Sequence, residues 1–308
     1  MAHRILVADS INEDGVKMLL QEGFEVDIQT EITHDQLKET IQNYEAVIVR
    51  SRTKITKDII ENGKKLKAIG RAGVGLDNID PEAAKNKGIK VFNTPEAPSR
   101  AVAELTTGLM LALARQIPKA DNALKSGKWL KKELIGFELR GKTLGIMGFG
   151  NIGREVGRLA RSLGMNILIH SHDPIEPQII TELDAQEVPH EELLQKSDIL
   201  TIHIPFTKET YHSIGRNELQ LMKPTACIIN TSRGGVIDEA ALTEALKTGR
   251  LAGAALDVYE EEPPKNTELI TLPNVICTPH IGAQTEEAQK SASTIIARKV
   301  INYLLARS

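Results

Sequence analysis

Thr143-Leu-Gly-Ile-Met-Gly148-Phe-Gly150-Asn151-Ile152-Gly153-Arg-Glu-Val-Gly157 is the stretch that decides how this chain is built. An aliphatic run ends at Gly148 and a segment with helical spacing opens at Asn151. In such a strand, turn and helix the glycines have separate duties. Gly148 permits the tight turn, Gly150 lets a backbone approach a pyrophosphate, and Gly153 lets helix and strand pack closely. The N–H groups of Asn151, Ile152 and Gly153, at the positive end of the helix, are then placed for phosphates. The stretch reads as a dinucleotide site in an α/β protein.

The same alternation continues in both directions. Short aliphatic runs, each followed by a turn and a helical segment, fall at 5–8, 26–29, 46–49, 68–70 and 89–92, and again at 143–147, 167–170, 199–203, 227–230, 253–256 and 275–277. Continuous Val/Ile/Leu runs suit strands of parallel sheets, which helices cover on both faces. Eleven such runs exceed one ordinary open sheet, so the expectation is two Rossmann-like or flavodoxin-like parallel-sheet domains. Thr94-Pro-Glu-Ala-Pro98 interrupts the pattern. A helix over 99–115, N-capped by Ser99 and apolar on every face, should follow it, buried between two layers. The segment 283–307 reads as a closing helix that returns to the first domain. The expected division is therefore 1–97 plus 285–308 for substrate, and 98–284 for the dinucleotide.

Strand-end segments then meet at the carboxyl edge of the second sheet, where ligands of open α/β sheets bind. They are His203-Ile204-Pro205, Asn230-Thr231-Ser232-Arg233-Gly-Gly, Leu256-Asp257-Val258 and Pro279-His280-Ile281-Gly282. Arg233 has the planar fork that suits a carboxylate. His280, with Glu262 eighteen residues earlier, offers a base near neutrality for a hydroxyl proton, and a carboxylate beside a histidine raises its pKa. Past the run 167–170, an acid should hold the ribose hydroxyls. Asp173 lies in the expected window, and with no Arg or Lys in 171–178 the reading is NAD and not NADP.

These motifs, with Arg71-Ala-Gly-Val74-Gly75-Leu-Asp-Asn78, Asn93-Thr-Pro95, Ala103-Glu-Leu105 and Glu261-Glu262-Pro-Pro264, run in order along the whole chain. Together they resemble the D-isomer-specific 2-hydroxyacid dehydrogenases, and among them the D-3-phosphoglycerate dehydrogenases. The resemblance implies a catalytic trio: Arg233 on the substrate carboxylate, His280 exchanging the hydroxyl proton, and Glu262 orienting His280. It also implies cofactor contacts from Thr231, Ser232, Asp257 and Gly282, with an active site in a cleft between two α/β domains and a homodimer or homotetramer formed through the cofactor domain. In the usual pattern Tyr-Asp-Pro follows Gly-Met sooner than Asp173 follows Met165 here, and strict counting places Ser171 at the ribose. The chain ends at Ser308 after the closing helix, which the resemblance reads as a form without a C-terminal regulatory domain.

A phosphorylated 2-hydroxy acid needs further cations. Arg50, with Ser51, and then Arg52 and Arg71 lie at strand ends of the first domain, Val74, Gly75 and Asn78 form the turn beside them, and the resemblance adds Lys131 and Lys132. The set favours D-3-phosphoglycerate, with a glyoxylate or hydroxypyruvate reductase as the alternative and an NAD-sensing corepressor as a remote one. The totals exclude other classes. With 38 Lys+Arg against 41 Asp+Glu, the net charge of -3 gives no basic footprint for nucleic acid. No run of 18 apolar residues suggests a membrane span, and the chain opens on a strand pattern without a signal-peptide core. Cys227 and Cys277, both in apolar surroundings, read as buried small residues of a cytoplasmic protein, with no metal site.

Overall fold

A computed structural model describes residues 3–306, so Arg307, where the sequence pattern closes the last helix, lies outside them. The chain divides into one unit of Met1–Ser99 with Ala283–Ser308 and a second of Arg100–Gly282.

The first unit holds β1 (Arg4–Val7), β2 (Glu25–Ile28), β3 (Ala46–Val49), β4 (Ala68–Arg71) and β5 (Lys90–Phe92). They form an all-parallel sheet in the order β2-β1-β3-β4-β5. Every residue of β3 is buried, as a central strand covered on both faces requires. The helix Glu286–Leu305, capped by Thr285, closes one face by packing Ile296 and Val300 over Gly70. Its Ser293 hydroxyl donates to the Asn12 carbonyl at 2.6 Å, which fixes the C-terminal segment to the start of the chain.

The second unit holds β6 (Thr143–Met147), β7 (Asn166–His170), β8 (Ala185–Glu187), β9 (Ile199–Ile202), β10 (Cys227–Asn230), β11 (Gly253–Leu256) and β12 (Val275–Cys277). The parallel order β12-β11-β10-β9-β6-β7-β8 places β6 beside β9, so the connections depart in opposite directions from that pair. The crevice at such a reversal receives ligands. The architecture is thus two parallel-sheet α/β units. Strand β8 was not expected: Ala-Gln-Glu has no aliphatic run, and only Ala185 is buried.

Three local expectations are corrected. Ser99 is already helical in Ser99–Arg115 and turns its hydroxyl back to the Pro95 carbonyl, so it is not the cap. That helix is not buried all round, since Arg100, Glu104, Gly108, Leu111 and Arg115 form an exposed stripe. Cys277 is exposed, because β12 is an edge strand, while Cys227 on the interior β10 is buried. Among the described residues no helix is long and apolar enough to cross a membrane.

Candidate active site

The β6 turn brings three backbone segments into close approach. Gly148 has φ 91°, and a Cβ there would lie 2.6 Å from the His203 carbonyl oxygen, so no other residue fits without moving the chain after β9. A Cβ at Gly153 would lie 2.4 Å from the Gly148 carbonyl oxygen, which is the close packing of helix on strand. Over Gly150, in contrast, nothing lies within 4 Å of the Cβ position. The helix Asn151–Ser162 begins there with no side-chain cap, so the N–H groups at its first turn, Asn151 and Ile152 among them, can serve a ligand. Beside the turn, His203 Nε2 lies 2.9 Å from Thr201 Oγ1, and its Nδ1 is buried without a partner among the described residues. Burial pushes that ring down to about 3, so it is neutral at physiological pH. Ile204 is half-buried and Pro205 exposed. An open glycine face, an uncapped helix start and an unpartnered buried imidazole nitrogen fit a dinucleotide.

After β7 the chain is less tied. His170 accepts from the Gly148 N–H through its carbonyl at 2.8 Å, Ser171 is half-buried, and His172 and Asp173 stand in solvent. The Asp173 side chain is 95% exposed, with His172 Nδ1 3.8 Å away. The guanidinium of Arg154, on the first turn of the helix, reaches Glu176 at 3.1 Å. This cation borders the 171–176 segment from another element, where a count over 171–178 does not find it.

The segments after β10, β11 and β12 interlock. Asn230 Oδ1 accepts from the Ser232 N–H at 3.0 Å and hydroxyl at 2.8 Å, while its Nδ2 donates to the Arg233 carbonyl at 2.8 Å. Thr231 meets Thr106 hydroxyl to hydroxyl at 2.9 Å. Arg233, half-buried, donates from Nη1 to the Ser232 carbonyl at 2.7 Å. At Gly234 a Cβ would lie 1.7 Å from the Tyr259 carbonyl oxygen, so the Arg233 turn presses directly on the loop that carries Glu262. Tyr259, 6% exposed, donates its hydroxyl to the carbonyls of Leu256 at 3.1 Å and Thr278 at 2.9 Å, which pins the ends of β11 and β12 together.

Asp257 is 1% exposed and organises the histidine loop. Its Oδ1 accepts from the Thr278 hydroxyl at 2.6 Å and the Ile281 N–H at 2.8 Å, and its Oδ2 from the Gly282 N–H at 2.8 Å. His280, between these anchors, is held at φ 53°, a conformation that few non-glycine residues adopt. Its Nδ1 lies 2.7 Å from Glu262 Oε2. Burial pushes the Glu262 carboxyl up, but the hydrogen bond and charge of His280, the Tyr259 N–H and the Arg233 charge outweigh it, leaving the group below the usual carboxylate range. An ionised Glu262 accepts only, so Nδ1 carries the proton and Nε2 is the nitrogen through which the ring can take one. The structure thus brings Arg233, Asp257, Glu262 and His280 together in one unit. Sequence reading missed Tyr259, whose signal was an aromatic ring two residues after a strand-end acid in a chain with few aromatics.

In the other unit, Asp9 follows β1 and is 4% exposed, accepting from the Arg50 N–H at 2.6 Å and the Thr53 hydroxyl at 2.6 Å. Arg52 folds back onto the carbonyls of Ala8 at 2.9 Å and Ile32 at 3.3 Å. Asn78 clips the carbonyls of Arg50 at 3.1 Å and Thr53 at 2.7 Å, and Arg71 Nε donates to the Arg50 carbonyl at 3.2 Å. The Arg50 guanidinium instead reaches the Gln284 side chain at 3.0 Å. Ser51 is exposed, and the turn through Val74 and Gly75 is held by Asn93, which donates to the Val74 carbonyl at 2.6 Å. Lys131 and Lys132, in the second unit, are exposed.

The family model described as D-isomer specific 2-hydroxyacid dehydrogenase, NAD binding domain, matches residues 107–282. The D-3-phosphoglycerate dehydrogenase of Methanocaldococcus jannaschii is 52% identical over 299 residues, which are 96% of this chain and 56% of that protein. This chain therefore spans little more than half the length of that relative. The hydroxypyruvate reductase of Thermotoga maritima is 46% identical over 98% of both chains. Among solved structures, D-lactate dehydrogenase from Aquifex aeolicus, complexed with NAD and lactic acid, aligns with a TM-score of 0.86 at 27% identity, covering 99% of this chain and 96% of that one.

Proposed function

The chain belongs to the D-isomer-specific 2-hydroxyacid dehydrogenases, its second unit being the family's NAD-binding domain, and from that premise we propose that it oxidises or forms a D-2-hydroxy acid, with D-3-phosphoglycerate the preferred substrate. The contact that carries this reading is the 2.7 Å pairing of His280 with Glu262 beside Arg233. Arg233 receives the substrate carboxylate and draws density from the C2 oxygen. His280 Nε2 takes the C2 hydroxyl proton, and the Glu262 carboxylate, accepting from His280 Nδ1, stabilises the imidazolium that results. NAD, when bound, supplies the acceptor for the C2 hydride and returns it in the reverse direction. Asp257 fixes the 280–282 backbone, and the lone pair left on its Oδ2 can accept from a carboxamide. Ser171, placed directly after β7, is favoured over Asp173 for the adenosine ribose.

Arg50 and Arg71, the Val74–Gly75 backbone, and Lys131 and Lys132 supply cations and donors for a phosphorylated acid. Hydroxypyruvate or glyoxylate reduction is the second reading, favoured by the end-to-end match to a hydroxypyruvate reductase. A second copy of the chain is the proposed partner: Leu111, Leu124, Trp129 and Ile135, 39 to 81% exposed, leave large apolar side chains of the NAD-binding unit open to solvent, and an interface with a second copy would cover them. Light scattering should give twice the chain mass or more, and a Trp129→Glu variant should fall toward the monomer.

Activity is tested on purified protein with D-3-phosphoglycerate, D-glycerate and D-lactate against NAD and NADP, and with hydroxypyruvate and glyoxylate against NADH and NADPH. Turnover of phosphoglycerate with the highest kcat/KM is expected. No turnover of any 2-hydroxy or 2-oxo acid would overturn the enzymatic reading.

A further inference from the structure

Next to Arg233, Glu262 and His280 lies a second polar group with no part in the chemistry above. His212 stands in left-handed backbone at φ 49°. Its N–H donates to the Gly235 carbonyl at 2.8 Å, and its ring Nε2 lies 2.9 Å from Glu260 Oε1. The Tyr211 ring stacks on it, centroids 3.9 Å apart and planes at 18°. Glu260 Oε1 also accepts from the Glu239 N–H at 3.1 Å, and the Glu260 N–H donates to Glu239 Oε1 at 2.7 Å. Glu239 is 9% exposed, and burial, with the like charge of Glu260 and Glu261, pushes its carboxyl up. Four carboxylates thus crowd this spot, Asp238 standing 3.9 Å from His212 Nδ1, and the imidazole N–H is the side-chain donor that holds Glu260 among them.

His212 joins three segments. Its own loop starts at His203, whose carbonyl bounds Gly148 in the cofactor turn. The Gly235 carbonyl belongs to the turn of Arg233, and Glu260 lies two residues before Glu262. Misplacing a reacting group by about 1 Å costs up to about 100-fold in rate, so whatever sets this loop sets the chemistry.

We propose that His212 is a positioning residue: its bond to Glu260 fixes the loop that carries Glu262, and links that loop to the segment bounding the cofactor turn. The proposal rests on the function given above. In a chain of three consecutive glutamates each has a different partner, Glu260 to His212, Glu261 to Lys265 and Glu262 to His280. The run is therefore not a uniform solvated face.

Three substitutions test it. His212→Asn keeps a residue that tolerates positive φ but cannot reach Glu260. Glu260→Ala removes the acceptor, and Glu260→Gln restores an acceptor oxygen. The first two should lower kcat about 10- to 100-fold, with the KM of the acid and the NADH Kd from fluorescence titration held within about twofold, and Glu260→Gln should recover most of the rate. In a Glu262→Gln background, His212→Asn should cost nothing further, as expected of residues acting through one group. A readout free of substrate is the titration of the Glu262 carboxyl, followed by NMR in 13C-glutamate-labelled protein. It should move upward in His212→Asn as the bond to His280 loosens. Unchanged kcat, additive losses, or NADH affinity falling in step with kcat would each overturn the proposal. If the wild-type protein turns over no acid, the assigned function fails, whereas the Glu262 titration still decides the role of His212.

Discussion

The seven-stranded sheet presents two differently built regions along its carboxyl edge. After β10, β11 and β12, polar groups are crossed from segment to segment: Asn230 on its own turn, Tyr259 on two strand ends, Asp257 on three donors, and Glu262 on His280. After β7, side chains from His172 to Pro174 stand in solvent, and Asp173 is 95% exposed. A region held by buried, directional bonds fixes both residue type and spacing, because an unmade buried bond costs about 1–3 kcal/mol. An exposed segment carries no such penalty and can change its length.

The sharpest way to break the bonded region is His280→Asn, chosen because asparagine tolerates φ 53°. The kcat should fall about 100- to 10,000-fold, while NADH binding by fluorescence titration stays near the wild-type value. A variant that kept its kcat would remove His280 from the chemistry.

Two glycine substitutions set the bonded region against the open glycine turn after β6. Gly234→Ala drives a methyl into the Tyr259 carbonyl, which is backbone and cannot swing aside. A loss of about 1–3 kcal/mol in stability is expected, read as a lowered urea midpoint, together with a fall in kcat as the Glu262 loop shifts. Gly150→Ala adds a methyl to open space and should lower the stability read from urea unfolding by no more than about 1 kcal/mol, the cost of alanine at a helix N-cap, while weakening NADH binding. If both glycines behave alike, the bonded region is no more tightly held than the β6 turn.

Acid probes the bonded region more gently. Glu262 is held below the usual carboxylate range. A carboxylate depressed by folding contributes stability above its unfolded pKa of about 4.3, lost as pH falls through the lower folded value. The side chain is 40% exposed, so solvent screening limits the contribution to under about 1 kcal/mol. The stability gap between wild type and Glu262→Gln should therefore close as pH drops from about 6 to about 3. A gap that stayed constant over that range would show the pairing to be unrelated to charge.

How much was legible in the sequence follows the same division. The glycine stretch 143–157 and the strand-end segments carry the fold and most of the candidate site, because Gly148 and Gly153 allow no other side chain and the reactive groups close strands whose aliphatic runs are plain. Strand β8 was invisible because its three residues pair at an edge and bury only Ala185. His212, Glu239 and Tyr259 were invisible because their role lies in crossed bonds between segments distant in sequence. The spacing of a chain does not report which polar side chain its fold turns inward.

The smallest effect is expected at Asp173. Its carboxylate stands in water beside an equally exposed His172, and a hydrogen bond formed there replaces one to solvent, contributing at most about 1 kcal/mol. Ser171 directly follows His170, whose carbonyl accepts the Gly148 N–H, so its side chain begins next to the glycine turn, at the ribose position proposed above. Asp173→Ala should change the NADH Kd less than about fivefold. Ser171→Asp should raise the preference for NADH over NADPH about tenfold, because a carboxylate at that point accepts from both ribose hydroxyls and repels a 2′-phosphate. Parallel titrations of both variants with both reduced cofactors decide it. If Asp173→Ala weakens NADH binding tenfold, the 171–176 segment must fold onto the ribose when the cofactor arrives, and the exposed region would then be a second bonded region that forms only on binding.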